Sequence, residues 1–115
     1  MDLDIRQKGS ICFLKVKGPL YYGPDVTAFD QAVEAAIVGG FPQFVIDLSA
    51  MQRVDSCGIG AIVHALRQSN EKGGDVRLVN PSPFAEKTFK MVGILRLFQV
   101  FRTEEEALES YTSQG

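Results

Sequence analysis

The stretch from Phe44 to Gly60 constrains this chain more than any other. Phe44, Val45 and Ile46 are consecutive apolar residues, the composition of a strand buried on both faces. A short loop then leads to Asp55-Ser56-Cys57-Gly58, which reads as the opening of a helix. Beyond it Ile59, Ile62, Val63 and Leu66 fall at i, i+3, i+4 and i+7, the apolar stripe of a helix packed on a sheet. His64, Arg67, Gln68 and Glu71 fall mainly on the other side. The first N–H groups of a helix lack internal partners, so an anion is tolerated there. Ser56 places a hydroxyl at that position, which makes it the candidate switch residue.

The rest of the chain fits the same strand–helix alternation. Leu3 to Lys8 and Ile11 to Gly18 are predicted as a hairpin around Gly9-Ser10. In its second strand Cys12, Leu14 and Val16 alternate with Phe13, Lys15 and Lys17, so the first set is expected in the core. Gly18-Pro19 breaks this strand. Pro24 suits an early position in a first helix, which carries Val26, Phe29, Val33 and Ile37 and stops at Gly39-Gly40. A strand from Phe41 to Leu48 precedes the Ser56 helix, and Gly73-Gly74 ends that helix before the strand Val76 to Val79. Asn80-Pro-Ser-Pro83 feeds a third helix to about Met91, and a turn and short strand occupy Gly93 to Phe101. Thr103-Glu-Glu-Glu106 is a capping box with Thr103 as N-cap. The helix it opens is expected to run to about Tyr111, leaving a frayed tail over 112–115. The class is α/β: a mixed, mainly parallel sheet of four to five strands, covered by about four helices.

Length and composition bound the possibilities. The 115 residues point to one domain spanning 1–115, and 45% hydrophobic residues are enough for a core without metal or disulfides. Twelve basic against fourteen acidic residues, a net charge of −2, leave no basic stripe for nucleic acid. Cys12 and Cys57 make no disulfide framework. The start, Met1-Asp-Leu-Asp-Ile, is not a signal peptide, and no apolar run approaches a membrane span. A cytoplasmic protein without membrane insertion is the expectation.

Cys57 sits at a helix start, where a thiol can be activated. The one histidine, His64, lies seven residues further on, about 10 Å along the helix axis at ~1.5 Å per residue. That separation excludes a Cys–His dyad within the helix, and Ser56 is further still. Cys57 is therefore expected as a small packing residue and His64 as a solvated one. Neither a phosphate loop nor a paired-cysteine metal motif is present. No catalytic residues, cofactor or metal are expected. Asp55 is a candidate N-cap or orienting carboxylate. Gly58 and Gly60 are expected as packing devices that also let a partner approach the backbone.

From Ile5 to Ser110 the chain resembles a stand-alone STAS domain of the anti-sigma factor antagonist type. Val54-Asp-Ser-Cys-Gly-Ile-Gly60 is similar to that family's Asp-Ser-x-Gly-Leu-Gly pattern after an apolar strand. Gly18, Gly73-Gly74 before Val76, and Gly93-Ile94 with Phe98 lie in register with it. The resemblance implies a bacterial partner-switching protein in transcription control. Ser56 would be phosphorylated by a serine kinase that is also an anti-sigma factor and restored by a metal-dependent serine phosphatase. The unmodified form would bind the kinase through Asp55, Cys57, Gly58, Ile59, Tyr21 and Tyr22, as a monomer or weak dimer. One departure stands out: where such antagonists carry an acidic residue, three positions after Gly18, this chain has Tyr21. Tyr21 and Tyr22 read equally as interface anchors or as packing over the sheet edge. An alternative within the same fold is a scaffold or adaptor subunit of a signalling or lipid-transport complex, without reversible phosphorylation.

Overall fold

The structure, a computed structural model, describes residues 1–112, so the expected fraying at 113–115 lies outside the described residues. Strands β1 (Asp2–Lys8) and β2 (Ile11–Lys17) form the antiparallel hairpin. Gly9 turns it at φ 58°, a backbone conformation that costs glycine little. Helix α1 (Pro24–Val38) follows, then β3 (Gln43–Asp47), α2 (Ser56–Glu71), β4 (Val76–Val79) and α3 (Pro83–Met91). A single 3-10 turn (Leu95–Leu97) leads to β5 (Val100–Phe101) and α4 (Glu104–Thr112). The sheet order is β1-β2-β3-β4-β5, and every pairing after the hairpin is parallel. Five strands and four helices match the expected class.

The period-two alternation of the strands sorts the core into two layers. Cys12, Leu14, Val16, Phe44, Ile46, Val76 and Leu78 point to one face, packed against Phe29 and Val33 of α1, Ile62 of α2 and Phe89 of α3. Ile11, Phe13, Val45 and Val79 point to the other, under Ala107 and Tyr111 of α4. Each fully buried large side chain contributes roughly 1.5–3 kcal/mol. The double burial expected of Phe44-Val45-Ile46 is observed. Phe13 differs from expectation: it belongs to a core, because α4 covers the face that Lys15 and Lys17 suggested was solvated. On α2 the buried stripe is Gly58, Ala61, Ile62, Ala65, Leu66 and Ser69. Ile59 and Val63 are only half-buried, since the small side chains give the closest approach to the sheet.

The helix ends follow local chemistry. Gly40 (φ 92°) closes α1, with its N–H donated to Ile37 O at 3.0 Å and that of Phe41 to Ala36 O at 2.8 Å, a Schellman cap. Phe41 thus serves the end of the helix, and β3 begins only at Gln43. The Ser82 hydroxyl accepts from Ala85 N at 3.1 Å and caps α3. At α4 the Thr103 hydroxyl accepts from Glu106 N at 3.1 Å and donates to the Glu106 carboxylate at 3.3 Å. The capping box therefore closes through the hydroxyl.

Candidate functional site

Two loops meet at the carboxyl ends of β2 and β3. Gly18 N donates to Ala50 O at 3.0 Å, and Leu20 N donates to Arg53 O at 3.0 Å. Leu20 and Val54 pair as an isolated parallel bridge, and Asp55 N donates back to Leu20 O at 3.4 Å. Leu20 is completely buried, so this small ladder is pinned to the core. Its next two residues turn outward, Tyr21 partly and Tyr22 with 77% of its surface exposed.

Asp55 joins the two loops to the start of α2. Its backbone is extended (φ −98°, ψ −178°), as a helix N-cap requires. One carboxylate oxygen, Oδ1, accepts from Gly58 N at 2.9 Å, and the other, Oδ2, accepts from Tyr22 N at 2.8 Å. The Asp55 carbonyl accepts the first intrahelical bond, from Ile59 N at 3.0 Å. The Tyr22 N–H, then that of Gly58, holds the Asp55 carboxyl below the usual carboxylate range. Asp55 is an anion at neutral pH, beside Ser56.

Ser56 is the first helical residue of α2, is exposed, and makes no side-chain hydrogen bond among the described residues. The helix start is only partly open, because Asp55 has taken the Gly58 and Ile59 N–H groups. Those of Ser56 and Cys57 remain nearest an incoming anion, and Cys57's also leans toward the Asp55 carboxylate.

The two glycines of the motif differ. Gly58 is buried, and a Cβ there would lie 2.2 Å from Leu20 O and 2.7 Å from Val54 Cγ2. Gly60 is exposed and has nothing within 4 Å of the same position. Gly58 is therefore what lets α2 press against the Leu20 ladder, and Gly60 leaves open space.

Ser56, Asp55, Tyr22 and Tyr21 are brought to one region, with Ile59 half-buried against the core. Cys57 corrects an expectation: it is exposed and not a packing residue, because the buried stripe of α2 runs through its neighbour Gly58. Cys12 is the packed thiol, and burial pushes its pKa up to about 11. His64 is exposed as expected. Among the described residues no group of three His, Cys, Asp or Glu side chains is placed to hold a metal, and no helix is long and apolar enough to cross a membrane.

Two contributors escaped the sequence. Leu20 carries the ladder, yet a lone leucine between Pro19 and Tyr21 has no pattern to mark it. Asp25, in the first turn of α1, accepts from Tyr21 N at 3.1 Å. Its place directly after Pro24 was the available signal.

The STAS domain family model matches residues 2–107. A Thermotoga neapolitana protein named provisionally as an anti-sigma factor antagonist is 30% identical over 70 residues. That alignment takes in 61% of this chain, which thereby spans only 62% of the relative's length. The anti-sigma F factor antagonist of Lysinibacillus sphaericus is 32% identical over 78 residues, 67% of this chain and 66% of that one. The solved structure of the Bacillus cell fate determinant SpoIIAA in its phosphorylated form superimposes with a TM-score of 0.78, at 22% identity. It covers 96% of this chain and 99% of that one, and the unphosphorylated form gives 0.76. The five-stranded mixed sheet, the helix-opening Asp-Ser-x-Gly and a family match over nearly the whole length agree: the chain belongs to the STAS domain family.

Proposed function

We propose that this chain is a non-enzymatic anti-sigma factor antagonist, switched by phosphorylation of Ser56. The observation that carries the reading is the unpartnered, exposed Ser56 hydroxyl at the start of α2, flanked by the Asp55 cap and the outward Tyr21-Tyr22 pair. The names of the Lysinibacillus and Thermotoga relatives, and the existence of a phosphorylated form of a structural neighbour, support it.

The chemistry follows from charge. A phosphate brings about −1.5 to −2 and three acceptor oxygens. The helix start offsets part of this, typically by about 0.3–1 kcal/mol. The Asp55 carboxylate opposes it, so the phosphate stays turned to solvent and the fold tolerates it. A partner carboxylate docked at about 4 Å would be repelled by roughly 4 kcal/mol at an effective dielectric near 20. Modification thus acts on binding and not on folding. In this reading the unmodified face, Tyr21, Tyr22, Asp55, Cys57 and Ile59 with Gly58 permitting close approach, engages a serine-kinase anti-sigma factor. A serine phosphatase restores it. The setting is the bacterial cytoplasm.

Incubation with candidate serine-kinase anti-sigma factors of the host and ATP, followed by peptide mapping, tests the proposal. Phosphate on Ser56, absent from Ser56→Ala, is the expected result. Modification only elsewhere, or none, contradicts it. Tyr21, in place of the acidic residue of family antagonists, favours a second reading as a scaffold or adaptor. A stable complex unchanged by Ser56→Asp would select that one.

A further inference from the structure

We propose that the face formed by α3, the Leu95–Leu97 turn and β5 is a second docking surface, which takes an acidic segment of a partner protein bearing apolar anchors. Three depressions adjoin there. The first, about 320 Å³, is walled by Lys90, Gly93, Leu95 and Arg96. The second includes Glu86, Leu95, Val100 and Arg102. The third includes Glu86, Lys87 and Lys90. Leu95 is common to the first and second, Lys90 to the first and third, and Glu86 to the second and third. The shared walls place the three side by side along α3.

The groove and its margin leave large apolar side chains in water. Met91 is 77% exposed and Val92 52%, just before Gly93, with Leu97 at 49% and Val100, in the second depression, at 42%. Single exposed apolar residues are ordinary, but four large ones within residues 91–100, on a segment (83–102) that carries four basic side chains, exceed that and suit an interaction site. The rim is net positive. Residues 83–102 carry Lys87, Lys90, Arg96 and Arg102 against Glu86 alone, the reverse of the chain's overall balance of 12 basic to 14 acidic residues. All five of these side chains are exposed; Glu86 pairs with Lys90 at 3.9 Å, which leaves Lys87, Arg96 and Arg102 as the net positive charge. Such a field selects an acidic occupant.

A bilayer surface meets the charge but not the shape, because Leu95 lies in a recess that a flat surface does not fill. A second copy supplies acidic side chains on α4, yet the Ala107 and Tyr111 of that helix are buried on its own sheet, so it brings charge without anchors. A protein segment with interspersed carboxylates and large apolar residues satisfies both. None of the groove residues lies in 20–22 or 54–60, so occupancy does not depend on the state of Ser56.

The test is an NMR titration of the full chain with a synthetic peptide of Glu and Asp interspersed with Leu and Phe. Saturable shifts concentrated in residues 83–102 are expected, unchanged by Ser56→Asp. Lys90→Glu with Arg96→Glu should weaken binding at least about tenfold. Lys87→Glu with Arg102→Glu serves as an independent pair if the first fails to fold. A peptide with Ser replacing Leu and Phe should not bind. Scattered or absent shifts, or equal binding by the charge-reversed variants, would overturn the proposal. So would preferential binding to phosphatidylglycerol vesicles, or self-association that those variants abolish.

Discussion

The Leu20 carbonyl oxygen occupies the space that a side chain at Gly58 would need, 2.2 Å from the position of its Cβ. The loop after β2 and the start of α2 are held together at that contact, and with them the tyrosines and Ser56. The nearest obstacle is a backbone atom, which has no flexible end to yield.

Gly58→Ala should therefore cost at least ~2 kcal/mol, toward the upper part of the range for overpacking. Gly60→Ala, two residues on and in open space, should gain ~0.5–1 kcal/mol by removing helical glycine. Urea unfolding midpoints of the two variants should move in opposite directions. A similar small shift in both would show that the contact is soft.

Asp55 bridges Gly58 and Tyr22 through its two oxygens, and these N–H donors depress its pKa. Its contribution is complete above the ordinary value of 3.8 and is lost as pH falls through the lower folded value. Asp55→Ala should unfold earlier than the parent by a constant margin at neutral pH. The two midpoints should converge below pH 3.8. A margin that persists in strong acid would contradict the role of the charge.

Arg77, buried on β4, lies 3.9 Å from the centre of the Tyr111 ring and pairs with Asp75 at 3.2 Å. The Tyr111 hydroxyl lies 2.7 Å from Phe44 O and 2.8 Å from Asp75 O. Burial, reinforced by Asp75, raises the phenol pKa above its ordinary 10.0. Its contribution is present below that value and fades as pH rises above it. Tyr111→Phe should cost ~1 kcal/mol at neutral pH by removing the one hydrogen bond the hydroxyl proton makes, shared between the Phe44 and Asp75 carbonyls. Above pH 10.0 the parent should lose stability more steeply than the variant. Parallel curves would refute the coupling.

Local patterns made the element order legible. Phe44-Val45-Ile46 announced a strand covered twice, Ser56 marked a helix start, and Gly40 and Gly73 marked ends. What stayed hidden depended on partners distant in sequence. Phe13 looked solvent-facing beside Lys15 and Lys17 because its cover, Tyr111, comes from the last helix. Asp55 read as a cap, but its second bond reaches Tyr22, 33 residues away. Cys57 reads as a packing residue once a dyad with His64 is excluded, whereas the phase of α2, set by Gly58 against Leu20, turns it outward.

The most direct test compares Ser56-phosphorylated and unmodified protein by calorimetric titration against the serine kinase that modifies Ser56, with the melting temperature of each form recorded alongside. The account predicts tight binding by the unmodified form and at least ~100-fold weaker binding after modification, within the roughly thousandfold that ~4 kcal/mol of repulsion would give, with little change in melting. Equal affinity for both forms, or a phosphorylated protein that no longer folds, would contradict it.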